Sequence, residues 1–110
     1  MEELANKVAI VTGANRGIGR VISLRLAQAG AQLVLAGRDQ TSLEETARMI
    51  REENSSSTKP PLICHLDLLD PSSIDTSVAE ALKAFGHIDI LVNNSGITGK
   101  SAALWDLSED

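Results

Sequence analysis

At 110 residues the chain has room for one compact domain, or for a piece of a larger one, and none for a second core. Its formal net charge of −5, with the basic residues scattered, excludes a nucleic-acid surface and implies no polyanionic partner. A single cysteine, Cys64, leaves no internal disulfide and points to a reducing, cytoplasmic setting, while an acidic start and the lack of any long apolar run argue against a signal peptide or a membrane segment.

The first element is an apolar strand over 7–12 that runs into Gly13, Gly17 and Gly19 and then into helical periodicity. Gly13 allows a sharp turn out of the strand, Gly17 removes a side chain where a ligand must approach the main chain, and Gly19 permits close packing of helix on strand. This order makes a phosphate-binding turn: the first N–H groups of the helix and the positive end of its dipole hold a pyrophosphate without a charged side chain. A ligand-free glycine turn is the plain alternative. The first helix is expected to bury Ile18, Val21, Ile22, Leu26 and Ala29 and to end in a left-handed cap at Gly30.

A buried strand over 32–36 follows, ending near Gly37. In the second helix Thr41 with Glu44 forms a capping box, Leu43, Ala47 and Ile50 make one face, and Glu44 precedes Arg48 by one turn for a weak pair. The polar, proline-ended stretch over 54–61 reads as a surface loop. A third strand over 62–66 leads to Asp67, and Asp70 before Pro71 caps a third helix that presents Ile74, Val78, Leu82 and Phe85 and stops at Gly86. The fourth strand, over 88–92, opens into Asn93, Asn94, Ser95 and Gly96, and Ser108 begins a further helix. Strands alternating with helices at this spacing predict βαβ units with right-handed crossovers, an α/β fold amounting to half of a doubly wound parallel sheet.

Thr12-Gly13-x-x-x-Gly17-x-Gly19, Asp67 after the third strand and Asn93-Asn94-Ser95-Gly96 after the fourth resemble, in order and spacing, the short-chain dehydrogenase/reductase family of the classical type. The resemblance covers nearly the whole chain. It implies a Rossmann-like sheet in which residues 1–110 are an NAD(P)-binding domain, truncated before the catalytic half. Ser95 stands where the family usually has alanine; being small, it should preserve the turn, with its hydroxyl needing a partner if buried. A larger departure concerns chemistry, because the family uses a tyrosine and a lysine four residues apart, a serine before them and an asparagine on the following helix. The chain contains no tyrosine. The resemblance therefore places those groups beyond Asp110, assigns no catalytic residue within the chain and leads us to expect no turnover from it alone.

By the same resemblance, Thr12 orients the glycine turn through its hydroxyl, or is an ordinary strand residue, and Asn15, Arg16 and Ile18 offer donors to the phosphates. An NAD-selective site carries an acid at the end of the second strand, and Gly37 occupies that place. Arg38 and Arg16 can then converge on a 2′-phosphate with fork geometry, which favours NADP(H) over NAD(H); the alternative is that both are solvated and Asp39 supplies the ribose contact. Asp67, with the Leu68 backbone beside it, resembles the acid that meets the adenine amine, or simply caps a loop. Asn93 ties strand ends together and Gly96 lets the nicotinamide ribose approach the main chain. His65 and His87 show no metal-ligand spacing, and Asp89 is a candidate for a buried network. The implied activity is hydride transfer between a nicotinamide and the carbonyl or secondary alcohol of a small molecule, with homo-oligomers only where a C-terminal half is present. A non-catalytic NADP(H)-binding module, or an incomplete reading of a longer protein, remains alongside it.

Overall fold

Strands that must be buried on both faces read as unbroken apolar runs, and two such runs form the centre of the sheet. The computed structural model describes residues 3–15, 17–53 and 59–94. In it β1 (Val8–Thr12), β2 (Gln32–Gly37), β3 (Leu62–His65) and β4 (Ile90–Val92) form one parallel sheet in the order β3-β2-β1-β4. Helices α1 (Gly17–Gln28), α2 (Gln40–Glu53) and α3 (Pro71–Phe85) alternate with the strands, so the expected half of a doubly wound α/β sheet is present. Among the described residues no helix is long and apolar enough to cross a membrane.

The two faces carry separate cores. Ala9, Val11, Leu33 and Leu35 meet Ala27 of α1 and Leu43, Ala47 and Ile50 of α2 on one face. The alternate residues, Val8, Ile10, Val34 and Ala36, meet Ala81 of α3 together with Cys64 and Leu66 on the other. Cys64 is buried and unpaired, and its thiol donates to Glu80 Oε1 at 3.3 Å. Burial, reinforced by the Glu80 carboxylate, pushes that thiol up to about 12, so it stays neutral and serves packing.

The helix faces differ from what apolar spacing predicts. In α1 the residues seated on the sheet are Gly19, Ser23 and Ala27, whereas Ile18 and Val21 are 70% and 58% exposed and only Ile22, Leu26 and Ala29 of the expected face are partly covered. In α3 the seated residues are Ser73, Ser77 and Ala81, one turn apart, and Val78 and Leu82 point outward. Small residues win because they let the helix backbone approach the sheet, and each buried hydroxyl is satisfied at once. Ser23 donates to Gly19 O, Ser77 to His65 O, and Ser73 to Asp70 O within its own first turn. The face of α2, built on Leu43, Ala47 and Ile50, is as expected and includes the buried Thr46.

Local signals held in most places. Gly30 and Gly86 end α1 and α3 with φ of 99° and 89°, and Asp70 caps α3 by accepting from Ser72 N at 3.1 Å with Pro71 at its first position. At α2 the cap moves. Asp39, not Thr41, accepts from Ser42 N and Ser42 Oγ, while Thr41 lies inside the helix and Glu44 pairs with Gln40. Arg48 is paired with Glu45 and Glu52 rather than with Glu44, both partners lying on its own exposed face. Strand β4 begins two residues later than expected, because Asp89 turns its carboxylate onto Val8 N at 2.9 Å and so replaces a ladder bond with a side-chain one. His87 lies beside it, its Nε2 3.0 Å from Asp89 Oδ2 and 2.9 Å from Asn6 O. The loop over 54–61 falls partly, and the helix expected from Ser108 wholly, outside the described residues.

If the small stripe seats α3, Ser77→Leu should overpack that contact and lower the unfolding free energy by about 1–3 kcal/mol, read from urea denaturation. An unchanged midpoint would mean that α3 does not rest on the Ser73, Ser77 and Ala81 face.

Candidate functional site

In a parallel sheet the chain leaves every strand at the same edge, and a crevice opens where successive crossovers go to opposite sides. Here that point lies between β1 and β4: the order reaches outward from β1 through β2 to β3 and then returns to the other side of β1. The carboxyl ends of both strands carry the residues singled out above, the glycine turn after β1 and Asn93 and Asn94 after β4.

The turn is made by contacts that leave no room for side chains. A Cβ on Gly19 would stand 2.0 Å from Gly13 O and 2.8 Å from Asn94 Nδ2, so α1 begins directly against the end of β1 with the Asn94 amide beside them. Gly13 has φ of 64°, and a Cβ there would lie 3.2 Å from Asn94 O. Gly17 differs: φ is 60° but nothing stands within 4 Å of the missing Cβ. The main chain at Gly17 is bare toward open space, as a ligand approaching the start of α1 requires.

Thr12 Oγ1 accepts from Asn94 N at 2.7 Å and lies 3.3 Å from both Val92 O and Asn93 Oδ1. Its hydroxyl thus fastens the end of β1 to the end of β4, and Asn93 shares in that tie. The interior takes up the turn's polar groups. Ala14 N donates to Ala36 O of β2, Ala14 O accepts from Thr46 Oγ1 at 2.9 Å, and Asn15 O accepts from Arg20 Nη2 at 2.6 Å. With the Ala14 and Asn15 carbonyls drawn inward, the opening amides of α1, which have no acceptor within the helix, are left to the crevice.

At the end of β2, Asn15 lays its amide oxygen where a Cβ on Gly37 would be 3.2 Å away. Arg38 follows, exposed, with no carboxylate in ion-pair range among the described residues. The Asp39 carboxylate is turned onto Ser42 as the cap of α2. After β3, Asp67 Oδ1 accepts from Leu69 N at 3.0 Å in a turn, and Ser73 Oγ accepts from Asp67 N, so the loop-capping role is visible; Leu68 beside it is 41% exposed. Ile18, in the first turn of α1, is exposed. Thr12, Gly13, Gly17, Ile18, Gly19, Asn93 and Asn94 are set around the β1–β4 crevice, and Asn15, Gly37 and Arg38 stand beside it at the end of β2. Arg16, Ser95 and Gly96 lie outside the described residues.

Two residues escape the sequence reading. Arg20 sends Nε to Thr46 Oγ1 at 2.8 Å and Nη2 to Asn15 O and Ser42 O, joining the glycine turn to α2. The available signal was Thr46, a hydroxyl on the otherwise apolar face of α2 that needs a partner when buried.

Comparison with known proteins agrees with this geometry. The family model described as short chain dehydrogenase matches residues 7–110. The chain is 42% identical over 95 residues to dehydrogenase/reductase SDR family member 7B of Mus musculus, covering 86% of this chain and 29% of that protein. It is 46% identical over 100 residues to (+)-neomenthol dehydrogenase of Arabidopsis thaliana, covering 90% and 33%. Among solved structures, L-sorbose reductase from Gluconobacter frateurii, complexed with NADPH and L-sorbose, superimposes with a TM-score of 0.78 at 36% identity, over 87% of this chain and 36% of that one. A metagenomic short-chain oxidoreductase in complex with NADP gives 0.78 and 36% over 86% and 41%. The chain spans 29% to 47% of the length of the curated relatives it matches.

The two glycines should respond differently to one added methyl group. Gly17→Ala has space and should cost about 1–2 kcal/mol of backbone strain, whereas Gly19→Ala must displace α1 and should lower the thermal midpoint further; equal losses would contradict the close approach at Gly19.

Proposed function

The chain belongs to the short chain dehydrogenase family, and from that premise we propose that it is the cofactor-holding part of an NADP(H)-dependent oxidoreductase acting on a carbonyl or secondary alcohol of a small molecule. The observation that carries the cofactor reading is the bare main chain at Gly17, set at the start of α1 on the β1–β4 crevice, where an added Cβ would meet nothing. A pyrophosphate fits such a cradle. When bound, a nicotinamide dinucleotide supplies the hydride donor or acceptor.

In this reading Gly13, Asn15, Arg16, Gly17, Ile18 and Gly19 receive the phosphates, mainly through backbone amides. Thr12, Asn93 and Asn94 hold the two strand ends at a fixed separation, and Ser95 and Gly96 continue that loop toward the nicotinamide ribose. Asp67 and Leu68 flank the adenine. Arg38 is the group that meets a 2′-phosphate: it is exposed, with no carboxylate in ion-pair range among the described residues, and Gly37 puts no acid where a ribose 2′-hydroxyl would need one. Asp39 is engaged with Ser42, which argues against the NAD(H) alternative. The NADPH and NADP complexes among the similar structures lend further support.

A second reading is a non-catalytic NADP(H)-binding module. Both readings share the same site. Proton transfer to or from the substrate, assembly into homo-oligomers and choice of substrate belong, in the enzyme reading, to residues outside this chain.

Equilibrium titration with NADPH and NADH tests the cofactor assignment. The wild-type protein should prefer NADPH, and Arg38→Asp should cut the ratio of the two affinities by about 10- to 100-fold, the worth of a charged hydrogen bond replaced by repulsion. An unmoved ratio would remove Arg38 from the phosphate site.

A further inference from the structure

A half-buried cation is costly to desolvate, and a fold normally offsets that cost with a carboxylate. Arg20 has none in contact among the described residues. Its guanidinium is held by neutral acceptors only, Thr46 Oγ1 at 2.8 Å, Asn15 O at 2.6 Å and Ser42 O at 3.1 Å. Glu45, the acid near enough to feel its charge, is hydrogen-bonded to Arg48 instead. Thr46 completes the arrangement: fully buried, it accepts from Arg20 and donates to Ala14 O at 2.9 Å.

These bonds reach three different segments. Asn15 and Ala14 belong to the glycine turn after β1, Ser42 to the first turn of α2 just beyond Gly37 and Arg38, and Arg20 to α1. The planar fork of the guanidinium fixes their relative positions, which a single ammonium cannot do. Thr46 Oγ1 adds a link of its own, reaching Ser42 O at 3.4 Å as well as Ala14 O, while the backbone bond from Ala14 N to Ala36 O, 3.3 Å long, stops at the end of β2.

We propose that Arg20, locked by Thr46, is a positioning residue that sets the separation between the glycine turn and the β2–α2 turn, and thereby the protein's preference for dinucleotides bearing a 2′-phosphate. This inference rests on the cofactor reading above. A 2′-phosphorylated dinucleotide must touch both turns at once, its pyrophosphate on the first and its extra phosphate on Arg38 at the second. A dinucleotide without that phosphate depends chiefly on the first. Slack between the turns therefore weakens the two ligands unequally.

The test uses the full-length protein, with NADPH and NADH affinities measured for wild type, Arg20→Gln, Arg20→Lys, Thr46→Val and Thr46→Ser. Arg20→Gln and Thr46→Val should each weaken NADPH about tenfold and NADH about twofold or less, a tenfold change being about 1.4 kcal/mol. Thr46→Ser, which keeps the hydroxyl, should retain the wild-type preference, and Arg20→Lys, which keeps only the charge, should not restore it. Amide hydrogen exchange over residues 13–19, measured without cofactor, should speed up in Arg20→Gln and Thr46→Val relative to β2. The inference is overturned if both cofactors weaken equally in step with lost thermal stability, if Arg20→Lys behaves as wild type, or if exchange over 13–19 is unchanged. Should Arg20→Gln fail to fold, Thr46→Val decides. Wild-type protein that binds neither cofactor overturns the cofactor reading itself, whereas wild type that prefers NADPH alongside variants that keep that preference overturns the clamp alone.

Discussion

The start of α1 lies so close to the end of β1 that a single methyl group on Gly19 would fall 2.0 Å from Gly13 O. That approach settles how the helix leaves the strand, and the next residues toward the sheet, Ser23 and Ala27, are buried. Asn94 fills the remaining space, its amide nitrogen 2.8 Å from where the missing Cβ of Gly19 would be. The turn, the helix and the end of β4 are thus one packed unit with no side chain to spare, and the crevice above it inherits its shape.

The polar groups of the glycine turn find partners within the fold. Thr12 accepts from Asn94 N across the junction of β1 and β4, Ala14 O and Asn15 O are bound from below by Thr46 and Arg20, and Ala14 N is bound to β2. With Ala14 O and Asn15 O satisfied on the inside, the opening amides of α1, which have no acceptor within the helix, suit an anion. The opposite end of the sheet is closed differently, with Asp89 and His87 gathered around Val8 N and Asn6 O.

Charge is distributed to the same effect. The chain is acidic overall, yet Arg38 is unpaired among the described residues and Arg20 is held by neutral groups, so the crevice edge is locally positive. Asp39, the nearest acid in sequence, is occupied in capping α2. An anionic ligand at the start of α1 would meet the positive end of the helix dipole with the exposed Arg38 beside it.

Elements, their order and the glycine turn were legible in the residues themselves, because apolar runs, helix caps at Asp70, Gly30 and Gly86, and glycine spacing act within a few residues of chain. So was the gathering of Gly13, Asn93 and Asn94 at one edge, since a parallel sheet places every strand-to-helix turn there. Three features were decided by tertiary structure. Apolar periodicity assigned Ile18, Val21, Val78 and Leu82 to buried faces, whereas α1 and α3 are seated on Gly19, Ser23, Ala27 and on Ser73, Ser77, Ala81; periodicity records which side chains gain by burial but not how near a backbone can come. The α2 cap is Asp39 rather than Thr41, because the helix begins at Gln40 and so takes Thr41 inside it. Arg20 and Thr46, 26 residues apart, became partners through the packing of α1 on α2, and no local pattern encodes a bond between side chains that only the folded sheet brings together.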